Sequence, residues 1–128
     1  MATAHHDTLE LEGMTVSETM VAQLAVEYWR LLRTVERAVE VASEDAKERL
    51  MSQARYAIVR FETILGEQQI SIQEFDGCDF AANLPVSPVN GDECSVEAQY
   101  VVERTIEPTI VRDTRVLIMG KVLLARKS

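Results

Sequence analysis

The sequence predicts an α+β chain: an N-terminal helical hairpin that forms a dimeric four-helix bundle, followed by a small antiparallel β domain. Three observations predict it. No Pro or Gly occurs from Met14 to Leu65, and apolar residues recur there at helical spacing. Beyond Gly66 the period shortens toward two and β-branched residues dominate. Each helical segment also carries an apolar face wider than a two-helix seam requires, so a lone hairpin would leave part of it wet. The expected boundaries are a flexible N-terminus at 1–16, the hairpin at 17–66 and the β domain at 67–128.

The first helix repeats Leu24, Tyr28, Leu31, Val35, Ala38 and Ala42 in steps of four and three, widened by Ala25, Leu32 and Val39. Arg30, Arg33, Glu36, Arg37 and Glu40 fall on the opposite face. Thr15 and Ser17, with Glu18 nearby, suit its N-terminus. The second helix repeats the design with Leu50, Ala54, Ala57, Phe61 and Ile64, widened by Met51, Ile58 and Leu65. One continuous helix is the competing reading. It would place Asp45, Arg49 and Ser52 in the apolar seam, which the cost of burying them disfavours. The seam therefore breaks near Ser43 to Asp45. Asp45 with Glu48 three residues on fits a capping box, and Gly66 fits a C-terminal glycine.

Two helices of about 23 to 26 residues are about 35 to 39 Å long. Their surplus apolar faces predict a homodimer around a twofold axis. The expected dimer contacts are Leu24, Tyr28, Leu31, Leu32, Val35, Ala38, Val39, Leu50, Ala54, Ala57, Ile58 and Phe61.

In the second half, Ile70, Ile72 and Glu74 to Phe75 alternate as a short strand. Gly77, Pro85, Pro88, Asn90 and Gly91 mark Asp76 to Cys94 as a long ordered loop. Strands are expected at Ser95 to Ile106, Thr109 to Val111, Arg115 to Met119 and Lys121 to Ala125, with a hairpin turn at 112–114 and a bulge or bend at Gly120.

The formal charge of −8 argues against nucleic-acid binding, which needs a basic surface. Phe61 to Glu103 holds no Lys or Arg, whereas Arg104, Arg112, Arg115, Lys121, Arg126 and Lys127 make the end basic. The two regions either pair internally or steer a partner. Without a signal-like N-terminus or an apolar run near membrane length, the chain reads as cytoplasmic, away from membranes, with Cys78 and Cys94 as free thiols and a single loop disulfide as the alternative.

Little in the sequence carries covalent chemistry. His5 and His6 beside Asp7 lack the scaffold and second ligand pair of a metal site. They are also the only two histidines, so neither cysteine has an imidazole in the folded part to activate it. Glu74, Asp76 and Asp79 do not match a calcium loop and read as a solvated loop. The five glycines are too scattered for a phosphate loop. The chain is therefore expected to bind a protein partner rather than to catalyse, with no cofactor and no metal. Trp29, on the flank of the first helix, either packs against the β domain or the other hairpin, or anchors a partner.

The run Leu31-Leu32-Arg33-Thr34-Val35-Glu36-Arg37-Ala38-Val39-Glu40-Val41-Ala42 resembles the bundle segment of GrpE, the nucleotide exchange factor of DnaK-type chaperone ATPases. Phe61 to Gly66 followed by Ile70 to Glu74 resembles that family's passage into its β domain. Asp79 to Val89 takes the place of its "Phe-Asp-Pro…His" loop, and 115–122 resembles its terminal "Arg-x-Leu-Arg-Pro-Ala-x-Val" strand pair. The likeness spans roughly Val21 to Ala125 in order.

The departures are specific. Ile118 stands at the second Arg, Met119-Gly120 at Pro-Ala, Pro108-Thr109-Ile110-Val111 at Gly-Tyr-x-Leu, and Pro85 at the loop histidine. Only about sixteen residues precede the first bundle helix, so the family's long stalk helix is expected to be missing or a stub. The resemblance implies a homodimeric co-chaperone that promotes nucleotide release from a DnaK-type ATPase or a divergent relative. It implies partner contacts at Asn83, Leu84 and Pro85 and at Arg112, Arg115 and Ile118. Pairing with the acidic middle is the competing role for Arg115. The alternative function is a dimeric adaptor of the same fold without exchange activity.

Overall fold

The computed structural model describes residues 16–128. Two long helices, α1 (Val16–Glu40) and α2 (Glu44–Glu67), are joined by a link at 41–43. Tyr28 of α1 stacks on Phe61 of α2 with ring centroids 3.8 Å apart, which fixes the helices as an antiparallel hairpin. The continuous helix is thus excluded, but the restart differs from expectation. Ser43, not Asp45, caps α2: its backbone is extended, and its hydroxyl accepts the Ala46 N–H at 3.4 Å. A hydroxyl one residue before the helix reaches the orphan amides, whereas Asp45 already lies within the first turn. Gly66 does not end α2 either. The helix runs through Glu67, and Gln69 takes the left-handed conformation at φ 56° instead.

Six strands follow: β1 (Ile70–Gln73), β2 (Val86–Pro88), β3 (Tyr100–Glu107), β4 (Thr109–Arg112), β5 (Arg115–Ile118) and β6 (Gly120–Arg126). They form two three-stranded sheets, ordered β1-β4-β5 and β2-β6-β3. The pairing is antiparallel except for β2, which runs parallel to β6 with Val86 opposite Gly120. The stretch expected to be all loop therefore supplies a strand and a short 3₁₀ turn at Gly91–Glu93. Three residues, one of them Pro, are too few to show an alternating pattern. β3 begins at Tyr100 rather than Ser95, because 95–99 form a turn whose Ser95 N–H donates to the Tyr100 hydroxyl at 2.8 Å.

Each sheet has its own core. Ala22, Ala25 and Val26 of α1 and Leu65 of α2 cover Ile70 and Ile110 of the first sheet, while Val86, Val102, Val122 and Leu124 close the second with Phe75, Phe80 and Tyr100. The two alanines let the helix approach the sheet closely. At Gly120 the chain leaves the first sheet for the second, the bend expected there. A Cβ on Gly120 would lie 2.6 Å from the Thr109 hydroxyl and 2.7 Å from the Glu107 carbonyl, so only glycine fits. Fully buried Thr109 joins the two sheets. Its hydroxyl donates to the Pro85 carbonyl at 2.8 Å and accepts the Gly120 N–H at 3.1 Å. Among the described residues no helix is long and apolar enough to cross a membrane, and no three His, Cys, Asp or Glu gather as a metal site.

Candidate docking surfaces

The hairpin presents an apolar platform built from heptad steps. Counting outward from the Tyr28–Phe61 stack in antiparallel directions, Leu24 comes within one residue of the level of Ile64, Leu31 of Ala57, and Ala38 of Leu50. Leu24, Leu31 and Ile64 are 62%, 59% and 53% exposed. Ala38 and Leu50 are also exposed, and Ala57 is half-buried. Together they leave an uncovered apolar stripe along the hairpin. Of the other expected dimer contacts, Tyr28, Leu32, Val35, Ala54, Ile58 and Phe61 are half-buried and Val39 is buried; Tyr28 and Phe61 stack between the helices, and Leu32, Ile58 and Phe61 line the cleft toward β1. The stripe of α1 buried most deeply is a different one, comprising Ala22, Ala25, Val26 and Trp29, and it faces the β unit. Three of its four residues lie outside the repeat that the sequence displays most clearly.

Trp29 takes its packing role, and its indole N–H donates to the Glu74 carboxylate at 2.5 Å. Arg33 reaches the other Glu74 oxygen at 3.0 Å and lies 4.8 Å from the Trp29 ring centre. Asp76 accepts the Thr105 N–H at 3.0 Å. The acidic group expected to be a solvated loop is therefore partly structural: Glu74 and Asp76 fasten it, while Asp79 pairs with Lys127 at 3.0 Å near the surface.

The residues expected to contact a partner fall in two places. Thr109, bonded to Pro85, and Arg112 occupy opposite ends of β4, about 10 Å apart at strand rise. At the Thr109 end only Asn83 is exposed; Leu84 packs on the second core and the Pro85 carbonyl is committed to Thr109. At the other end Arg112 and Arg115 converge on one oxygen of Glu18, at 2.8 and 2.5 Å. The competing expectation for Arg115 named the acidic middle of the sequence. Its actual partner is the buried Glu18 in the first turn of α1. Ile118 stands opposite Ile110 and packs on the first core, so it supports the surface from beneath.

The hairpin turn is held from a second side, where the Asp113 N–H donates to the Gln69 carbonyl at 2.9 Å. Asp113 and Gln69 are also the two non-glycine residues with positive φ among those described, so both left-handed residues meet at the joint between helices and sheets. Glu18 could not be paired with these arginines from sequence, because 94 and 97 positions separate them.

Cys78 is exposed, Cys94 is half-buried, and both are free thiols, so no disulfide joins them. His5 and His6, Thr15 and nearly all of the expected flexible N-terminus lie outside the described residues. No family model, curated protein or solved structure matches the chain.

Proposed function

We propose that this chain is a GrpE-like homodimeric co-chaperone that works in the cytoplasm and promotes nucleotide release from a DnaK-type ATPase or a divergent relative. The observation that carries this reading is the platform: an apolar stripe along a long hairpin, left open although the helices share one core with the β unit and the second sheet closes another. Two such hairpins zipped together hold a β unit out as a docking surface. The order of motifs along the sequence supports the same reading.

No covalent step is needed. Docking on the open form of the nucleotide-binding lobes favours that form. By linkage, nucleotide affinity then falls by the same factor as the docking preference. Of the expected contacts, Asn83 and the Arg112–Arg115 turn are the ones a partner can reach; Leu84, Pro85 and Ile118 hold them in place.

A second reading is favoured by one observation. Both arginines of the turn are engaged by Glu18, which suits an adaptor whose turn is a structural brace. Stopped-flow release of labelled ADP from DnaK-type ATPases separates the two readings. Acceleration supports exchange; binding without acceleration at saturating protein discards exchange in favour of the adaptor. Sedimentation tests the dimer, with Leu31→Asp expected to give a monomer that keeps its far-ultraviolet dichroism. A wild-type chain found only as monomer would remove both readings.

A further inference from the structure

We propose that the cleft between the helical hairpin and β1 binds a short peptide segment with an apolar centre and basic flanks. The cleft has a volume of about 600 Å³. Its apolar walls come from Trp29 and Leu32 on α1, Ile58 and Phe61 on α2, and Ile72 on β1. Glu36 and Glu62 also line it, one on each helix. Both are exposed, and no Lys or Arg pairs with either among the described residues. The other charged groups in the lining are satisfied, since Glu74 accepts from Trp29 and Arg33, and Arg33 lies against the indole. What the cleft offers an occupant is therefore an apolar lining with two carboxylates that no cation meets at salt-bridge distance, Glu36 having Arg30, Arg37 and Arg104 in the adjoining cleft and Glu62 having none there.

That complementarity selects the occupant. A leucine-sized side chain gains by leaving water for the floor, while Lys or Arg on either side meets Glu36 and Glu62. An acidic segment meets two like charges. The Trp29 wall of the cleft faces away from Leu31 on the platform. Leu31 lies two residues beyond Trp29, so at 3.6 residues per turn it points about 160° away from it. The inference stands independently of the nucleotide-exchange reading.

Trp29 is the only tryptophan, so its fluorescence reports on the cleft wall. The probe is an acetylated, amidated heptapeptide with three central leucines and two lysines on each side; its counterpart carries glutamates in place of the lysines. The expected result is a saturable change with the basic peptide and binding at least about tenfold weaker with the acidic one. Glu36→Gln with Glu62→Gln removes two exposed charges and should leave the fold intact. It is expected to weaken the basic peptide roughly three- to tenfold, the loss shrinking at high salt.

Equal response to both peptides, no response up to millimolar peptide, or full binding by the double variant would overturn the proposal. So would a Trp29 signal that changes on diluting the protein alone and vanishes in Leu31→Asp, since that puts a second copy in the cleft. Nucleotide release is measured separately, so a failure here leaves the exchange reading standing.

Discussion

The β unit and the helical hairpin solve the problem of burial in opposite ways. In the β unit Val102, Ile110 and Val122 are essentially sealed from water, and the buried threonines at 105 and 109 are hydrogen-bonded. Along the hairpin, residues of the same apolar character stay wet: Leu24, Leu31, Val59 and Ile64 each expose more than half of their surface. Apolar content alone does not distinguish the two regions. The difference is that strands from distant parts of the chain can close around a centre, whereas two rods laid side by side cover only one strip of each other. The β unit therefore closes its centres, one of them beneath α1 and α2, whereas the hairpin leaves its outer apolar stripe uncovered.

Substitutions of like chemistry in the two regions should break this comparison if it is wrong. Ile110→Ala removes a fully buried side chain beneath α1 and is expected to cost about 4 kcal/mol in urea unfolding. Leu31→Ala should cost under about 1 kcal/mol in a chain held monomeric by dilution, because that side chain is already 59% exposed. Its effect should appear instead as weaker self-association. Similar losses at both positions in the monomer would mean that the hairpin is as self-sufficient as the β unit.

Gly120→Ala is the next most severe. The added methyl would meet the Thr109 hydroxyl, the Glu107 carbonyl and the Thr109 amide at 2.6 to 2.9 Å, and two of those three atoms are backbone. An expected loss of about 3 kcal/mol follows, since the backbone must move where both sheets are fastened. Thermal unfolding checks it, and a neutral result would show that the crossing between sheets is looser than its geometry implies.

How much was legible in the sequence follows the same division. The hairpin could be read closely, because Leu24, Leu31 and Ala38 and their counterparts on α2 advertise a period that needs no knowledge of distant residues. The strands β4, β5 and β6 were legible from their β-branched runs, with ends shifted by a residue or two. What escaped were features made by long-range closure. β2 is a strand only because β6 lies beside it. The burial of Ala22 and Ala25 follows from the sheet that α1 happens to meet. Among the expected partner contacts, Arg112 and Arg115 were read as surface groups because Glu18 lies in another element altogether. The cleft beside Trp29 was foreshadowed only by an aromatic residue lying off the main repeat.

Glu18 sharpens the comparison because it spans the two regions. Its buried carboxylate receives both guanidinium groups, so Glu18→Gln leaves the two arginines without their counter-charge and weakens the brace between α1 and the β4–β5 turn. The side chains of Arg112 and Arg115 are 34% and 49% exposed, so water compensates them in part. The expected loss is about 2 kcal/mol, below the range for a fully buried pair. If the turn also docks on a partner, the same variant should raise affinity for that partner. If the turn is only a brace, affinity should fall together with stability.

The smallest effect tests where the second helix begins. Ser43→Ala removes the hydroxyl that accepts the Ala46 amide; at 3.4 Å the bond is long, so the expected cost is about 0.5 kcal/mol, the low end for an N-cap. Asp45→Ala leaves that hydrogen bond in place and removes only a favourable charge from the first turn, where Glu44 remains to meet the helix dipole. It should therefore cost less than Ser43→Ala. The two variants, compared in a Leu31→Asp background that excludes the proposed dimer, distinguish a helix that restarts at Glu44 from one that restarts beyond Asp45. The reverse order of effects would move the cap to Asp45 and shorten α2 from its first turn. It would also move Leu50 closer to the frayed end of the helix, leaving the Ala38–Leu50 layer as the weakest part of the platform.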